Sequence, residues 1–193
     1  MGSNREARLR LMHELGSRLA GEGYRVALVF KDDLNVAGGS KAFLIASISK
    51  SSTLIRLRSK LSLDDIKKLI PGSWCLMLVE EHRAAPHVII ASSELDVKEV
   101  GSNSIAVVPL SNEVKGSIAP LTDKVTDIDG AVRAIRELMI REVMELLALE
   151  NCGKCGFSNC RDLAESIAKG EESPLKCVKR RGNVKLIVNG DLI

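Results

Sequence analysis

Aromatic side chains are scarce: three Phe, one Tyr and one Trp make up 3% of the 193 residues. That argues against a platform on which nucleic-acid bases stack, and it leaves Val, Leu, Ile and Ala to fill the core. An excess of one charge is also missing. Lys and Arg number 28 against 25 Asp and Glu, a net +3, which is too small to imply a polyanionic partner. No nucleic-acid partner is therefore expected. Long apolar runs are absent. Val26 to Phe30 and Cys75 to Val79 fall far short of the roughly 20 residues a helical span needs, so no membrane span is expected. The N-terminus is polar and charged, without the apolar stretch of a secretory signal. A cytoplasmic location is expected, where thiols stay reduced. The pattern G-x-x-x-x-G-K-[ST] is lacking too. Gly38-Gly39-Ser40-Lys41 has neither its first glycine nor the hydroxyl after the lysine, and reads as a plain glycine loop. No nucleophile–base pair is visible, so an independent enzyme is not expected.

What is present is a 45% apolar chain in which helical and extended patterns alternate. Leu9, Leu11, Met12, Leu15 and Leu19 recur at helical spacing and predict a helix over 4–22, ended by Gly21 and Gly23. Tyr24 to Lys31 reads as a buried strand. Phe43 to Ser47 and Ser52 to Leu57 read as two strands around a polar turn. Ser62 caps a short helix over 62–70 that Pro71-Gly72 stops. Trp74 to Glu80 is the most continuous apolar strand and is expected to be central, with further strands over His87 to Ala91 and Ile105 to Val108. A long amphipathic helix is expected over 129–149. Strands alternating with helices predict an α/β fold with a mostly parallel sheet and flanking helices. At Glu150 the composition changes, with Gly, Cys and Lys becoming dense. The expected boundary lies there, giving an α/β domain over 1–149 and a small domain with its own core over 150–193.

Four of the five cysteines fall within 152–177, at the spacing C-x2-C-x4-C-x16-C. In a reduced compartment this points to metal binding before disulfides. Cys152, Cys155 and Cys160 sit on a glycine-rich loop that can wrap three corners of a cluster. Asn159 to Lys169 reads as a helix with Ser158 as its cap, which puts Cys160 in the first turn. There free N–H groups and the helix dipole favour a thiolate. Gly170 ends that helix, and Pro174 helps turn the chain so that Cys177 returns. Structural zinc is the rival reading, although zinc sites more often pair two C-x2-C knuckles; a redox-active thiol pair is a further one.

The run CGKCGFSNCRDLAESIAKGEESPLKC resembles the four-cysteine iron–sulfur domain of the corrinoid iron–sulfur subunit of acetyl-CoA synthase complexes. The B subunit of Rnf-type electron-transport complexes carries the same domain. The matching features are Cys152-Gly153, Cys155-Gly156, Cys160, the small-residue helix Ala164 to Ala168, Gly170-Glu171 and Cys177. The resemblance implies a [4Fe–4S] cluster with Cys152, Cys155, Cys160 and Cys177 as ligands. The tail VKLIVNGDLI reads as a hairpin turning at Asn189-Gly190. More weakly, 1–146 resembles the molybdopterin-guanine dinucleotide biosynthesis adaptor family (MobB), through GYRVALV at 23–29, AFLIAS at 42–47, LSLDDI at 61–66, LMLVEE at 76–81 and PHVIIAS at 86–92. This likeness implies a P-loop NTPase-like fold lacking its first strand and intact P-loop, a role in molybdenum-cofactor biosynthesis, and a protein partner that is a molybdenum-cofactor enzyme or a redox protein. Gly2-Ser3 stands where that family's phosphate loop ends, with Asn4-Arg5 in place of Lys-Thr. GTP and Mg²⁺ are therefore expected only if the start of the protein is truncated, and GTP hydrolysis is not expected.

Other side chains carry weaker signals. Glu80 and Glu81 end a strand where α/β proteins place ligand groups, and Asp32 and Asp33 do the same. His82 and His87 are spaced across a Pro-containing turn. Lys176, Lys179, Arg180 and Arg181 form a basic run beside Cys177 that reads as a solvated face, with docking of an acidic partner as the second reading. Cys75 reads as core. The functions in competition are an iron–sulfur accessory protein of the molybdenum cofactor, an electron-transfer module docking a redox enzyme, and a zinc-stabilised binding protein.

Overall fold

The computed structural model describes residues 2–29, 44–48, 53–57, 76–79, 85–179, 187–188 and 191–192. Two compact units are distinguished, one made of 1–31 and 73–186, the other of 32–72 and 187–193.

The first unit opens with helix α1, Gly2–Gly21. Leu11, Leu15 and Leu19 lie four apart and face one core, as helical periodicity requires. Glu14 and Arg18 pair along the outer face at 2.7 Å. Gly2 to Arg5 form the first turn of this helix. The helix closes with the Gly23 N–H on the Ala20 carbonyl and the Tyr24 N–H on the Leu19 carbonyl. Gly23 takes φ +96 there, the arrangement that satisfies the last orphan carbonyls.

Strand β1, Val26–Val29, follows at once. It pairs in parallel with β4, Leu76–Val79, from Val26 opposite Leu76 to Val29 opposite Val79. Strands β5, His87–Ala91, and β6, Ser104–Pro109, are also parallel. β1 and β4 consist of Val, Leu, Ala and Met, and β5 and β6 largely of Val, Ile and Ala, the near-continuous apolar runs that parallel strands favour. A 3₁₀ turn, Glu94–Glu99, joins β5 to β6. Burial works against the Asp96 carboxylate in that turn. The N–H groups of Ser92 and Ser93, at 2.7 and 3.0 Å, outweigh burial and hold it below its usual pKa. Helices α2, Asn112–Ile118, and α3, Ile128–Met144, come next, and α4, Cys160–Ala168, carries the third cysteine. The mostly parallel α/β architecture is as the sequence implied. The short helix α2 and the Glu94–Glu99 turn were not expected.

In the second unit, β2, Leu44–Ile48, and β3, Thr53–Leu57, form an antiparallel hairpin. Strands β7, Ile187–Val188, and β8, Asp191–Leu192, also pair antiparallel around residues 189–190. The helix expected over 62–70 lies outside the described residues.

Packing is continuous across Glu150, where the boundary was expected. Residues on both sides belong to one compact unit. Ala168 of α4 is buried in the same core as Leu19, Tyr24, Val108 and Ile135. Leu163 and Ala164 share a second core with Ile140 and Leu147 at the end of α3. The cysteine segment thus shares buried contacts with the end of α3. Ala at 164 and 168 reads as helix propensity in the sequence, but here its small size lets α4 approach its neighbours.

Tyr24 is 2% exposed, and its hydroxyl finds no hydrogen-bond partner among the described residues. Burial is the main cause that pushes this phenol up to about 12. An unbonded buried hydroxyl costs about 1 kcal/mol or more. Tyr24→Phe is therefore expected to raise stability by about 1 kcal/mol, or about 2–4 °C in Tm. A clear loss of stability on thermal denaturation would mean that the hydroxyl is bonded after all.

Candidate metal centre

Cys152, Cys155, Cys160 and Cys177 are brought together: all four line one recess, with Leu163 and Phe157. All are free thiols. Cys160 and Cys177 are buried, Cys155 is half-buried and Cys152 is exposed.

The backbone before and between them turns repeatedly into the left-handed region. Leu149 and Asn151 have φ of 60 and 47, and Gly153 and Gly156 have 69 and 88. The Gly156 N–H bonds the Gly153 carbonyl at 2.9 Å, closing a turn that presents Cys155. Among the described residues, apart from the chain neighbours, no atom lies within 4 Å of where a Cβ would stand on Gly153 or Gly156. What calls for glycine at these two places is the sign of φ, not crowding by the chain.

Cys160 is the first residue of α4. The N-cap is Asn159, whose side chain accepts the Asp162 N–H at 2.8 Å; the expected cap, Ser158, lies one residue too early. Cys160's own N–H is accepted by the Asn151 side chain at 2.8 Å, and the Asn151 N–H approaches the Cys160 Sγ at 3.4 Å. After Gly170 the chain makes a 3₁₀ turn, Pro174–Lys176. Cys177 follows, with its N–H on the Pro174 carbonyl at 3.2 Å. Pro174 thus does the turning that the sequence suggested.

Ion pairs brace the edges. Arg161 of α4 reaches both Glu137 oxygens, at 2.6 and 2.7 Å. The Arg161 hydrogen bond is the main cause that holds Glu137 below its usual pKa. Lys179 pairs with Glu150 at 2.5 Å, and that bond raises the lysine. Lys176 pairs with Glu172 and lies 5.2 Å over the Phe157 ring. Two members of the basic run are therefore engaged locally. Arg180 and Arg181 lie outside the described residues, as do Asp32, Asp33, Cys75, Glu80, Glu81 and His82. His87 is described, and both of its ring nitrogens are taken: Nδ1 by the Ala85 carbonyl at 3.0 Å and Nε2 by the Ser104 hydroxyl at 2.9 Å. That pairing leaves it no nitrogen for a metal.

Four thiols on one recess suit an iron–sulfur cluster, and a set of four cysteines also suits zinc. Among the described residues, no three His, Cys, Asp or Glu side chains converge where a single metal ion would be held.

A second cleft, about 840 Å³ in volume, lies beyond the carboxyl end of β6, between α1 and the starts of α2 and α3. Its charges are largely paired. Arg18 meets Glu14 and Asp129, and Asp127 accepts the Gly130 N–H at 2.7 Å, which lowers its pKa.

Comparison with known proteins bears on the cysteine segment. Residues 150–179 match a family model described as "Putative Fe-S cluster", which supports an iron–sulfur cofactor there. A solved structure of a MobB protein homologue from Bacillus stearothermophilus is similar at 25% identity and a TM-score of 0.45, over 70% of this chain and 89% of that one. No curated protein matches the chain. Among the described residues, no helix is long and apolar enough to cross a membrane.

Leu163, fully buried beneath the cysteines, tests how the segment is held. Leu163→Ala is expected to cost about 2–5 kcal/mol. It should bring forward the urea transition of the whole first unit, followed by circular dichroism. An early, separate loss of thiol protection with the main transition unmoved would show that 150–179 unfolds on its own.

Proposed function

We propose that the protein is an iron–sulfur accessory protein of molybdenum-cofactor (molybdopterin-guanine dinucleotide) biosynthesis or delivery. In this reading it holds one [4Fe–4S] cluster through Cys152, Cys155, Cys160 and Cys177. The observation that carries the cluster is the gathering of four widely spaced thiols on one recess, within the segment that matches the iron–sulfur family model. The sulfur-only donor set and the adjacent helix N-terminus, which favours negative charge, agree with it. Bound there, the cluster would supply one-electron chemistry or a structural clip.

The molybdenum-cofactor role is supported by the sequence segments shared with the adaptor family and by the cleft beyond β6, where α/β sheets take ligands. A second reading, an electron-transfer module docking a redox enzyme, is favoured by the exposure of Cys152, which brings one cluster corner to solvent. Titration with GTP and with molybdopterin separates the two. Binding of either supports the accessory role, whereas absence of both with reversible reduction of the cluster supports the carrier.

Anaerobic purification is expected to give a brown protein with about four irons and four sulfides per chain, bleached by dithionite. Cys155→Ala should lose this absorption while the fold persists, because Cys155 sits on the loop and not in the core. Colourless protein with stoichiometric zinc would overturn the cluster.

A further inference from the structure

Asn151 is not a thiol, yet it holds both ends of the loop that carries three of them. Its side-chain oxygen accepts the Cys160 N–H at 2.8 Å, and its backbone N–H points to the Cys160 Sγ at 3.4 Å. The first N–H groups of a helix have no partner within it. Asn159 satisfies that of Asp162, and Asn151, from the far end of the loop, satisfies that of Cys160. Two asparagines thus cap one helix from opposite directions. Asn151 also holds φ 47, a conformation that Asn tolerates better than most non-glycine residues.

We propose that Asn151 is the positioning residue of the cysteine loop, closing residues 151–160 on Cys160 and aiming its sulfur before any metal arrives. The closure rests on the chain alone, and its effect on cluster retention rests on the cluster assigned above. In the loaded protein the N–H bond to Sγ would strengthen as the sulfur gains negative charge. Such bonds to ligand sulfurs orient them and tune the cluster.

The rival explanation is that Asn151 serves only to make the turn. Asn151→Gly separates the two, because glycine keeps the positive φ and the backbone N–H and removes the side chain with its accepting oxygen. In reduced, metal-free full-length protein, amide exchange at Cys160 is expected to rise about tenfold in Asn151→Gly, the scale of one neutral hydrogen bond. Amides of Ala131 to Ile135 in α3 should not change. Asn151→Asp, which keeps both an acceptor and the tolerance for positive φ, should restore protection. Unchanged exchange at Cys160 in Asn151→Gly would overturn the proposal. In protein reconstituted with iron and sulfide, iron loss to a chelator is expected to be about tenfold faster in Asn151→Gly. Equal rates would overturn the holding role. If the unmutated protein takes up no iron, the cluster assignment falls, while the exchange experiment still decides the closure.

Discussion

Helix α4 is buried on two sides, and the position of the thiols depends on that burial. Leu163 and Ala164 pack against the end of α3, and Ala168 packs into the core beneath α1 and β6. The Gly170 carbonyl just beyond the helix accepts a hydrogen bond from Arg25 at 2.9 Å. Ion pairs across the same seam, such as Arg161–Glu137 and Lys179–Glu150, are about half exposed and contribute about 0–1 kcal/mol each. The single buried Leu163 is worth about 2–5 kcal/mol. Apolar packing therefore decides where Cys160 stands, and the charges only trim the edge.

The loop is built on the opposite principle. Between Leu149 and Gly156 the chain has little apolar burial to hold it, and four residues there have positive φ. For Leu149 this costs about 1–2 kcal/mol. Directed hydrogen bonds offset that cost: Gly156 to Gly153, and the double contact of Asn151 with Cys160. A rigid helix thus fixes one buried thiol, and a bonded loop presents two more around it. Cys177 is supplied from the far side by the turn at Pro174.

Much of this was legible in the sequence. The strand over 87–91 and the face of α1 follow from periodicity alone. So do the first-turn place of Cys160 and the return at Pro174, because Gly and Pro leave few alternatives. The rest depended on long-range choices that spacing does not carry. Ser158 and Asn159 are both good caps, and only the geometry shows whose side chain reaches Asp162. The shift in composition at Glu150 is legible, but Ala164 and Ala168 announce no partner. Their burial appears only once α3 and α1 lie against them. Nothing local to Asn151 pointed to Cys160.

Helix α3 connects the two recesses of the first unit. Its start, at Ile128 and Asp129, borders the cleft beyond β6, and its end, at Ile140, packs with Cys160 and Cys177. At 17 residues it is about 25 Å long, given a rise of about 1.5 Å per residue. An occupant of the cleft and a cluster among the thiols would stand a helix length apart and would not touch. Any influence of one on the other has to pass through the packing of α3 against α1 and α4, where buried Ile135 and Ile140 leave little room for adjustment.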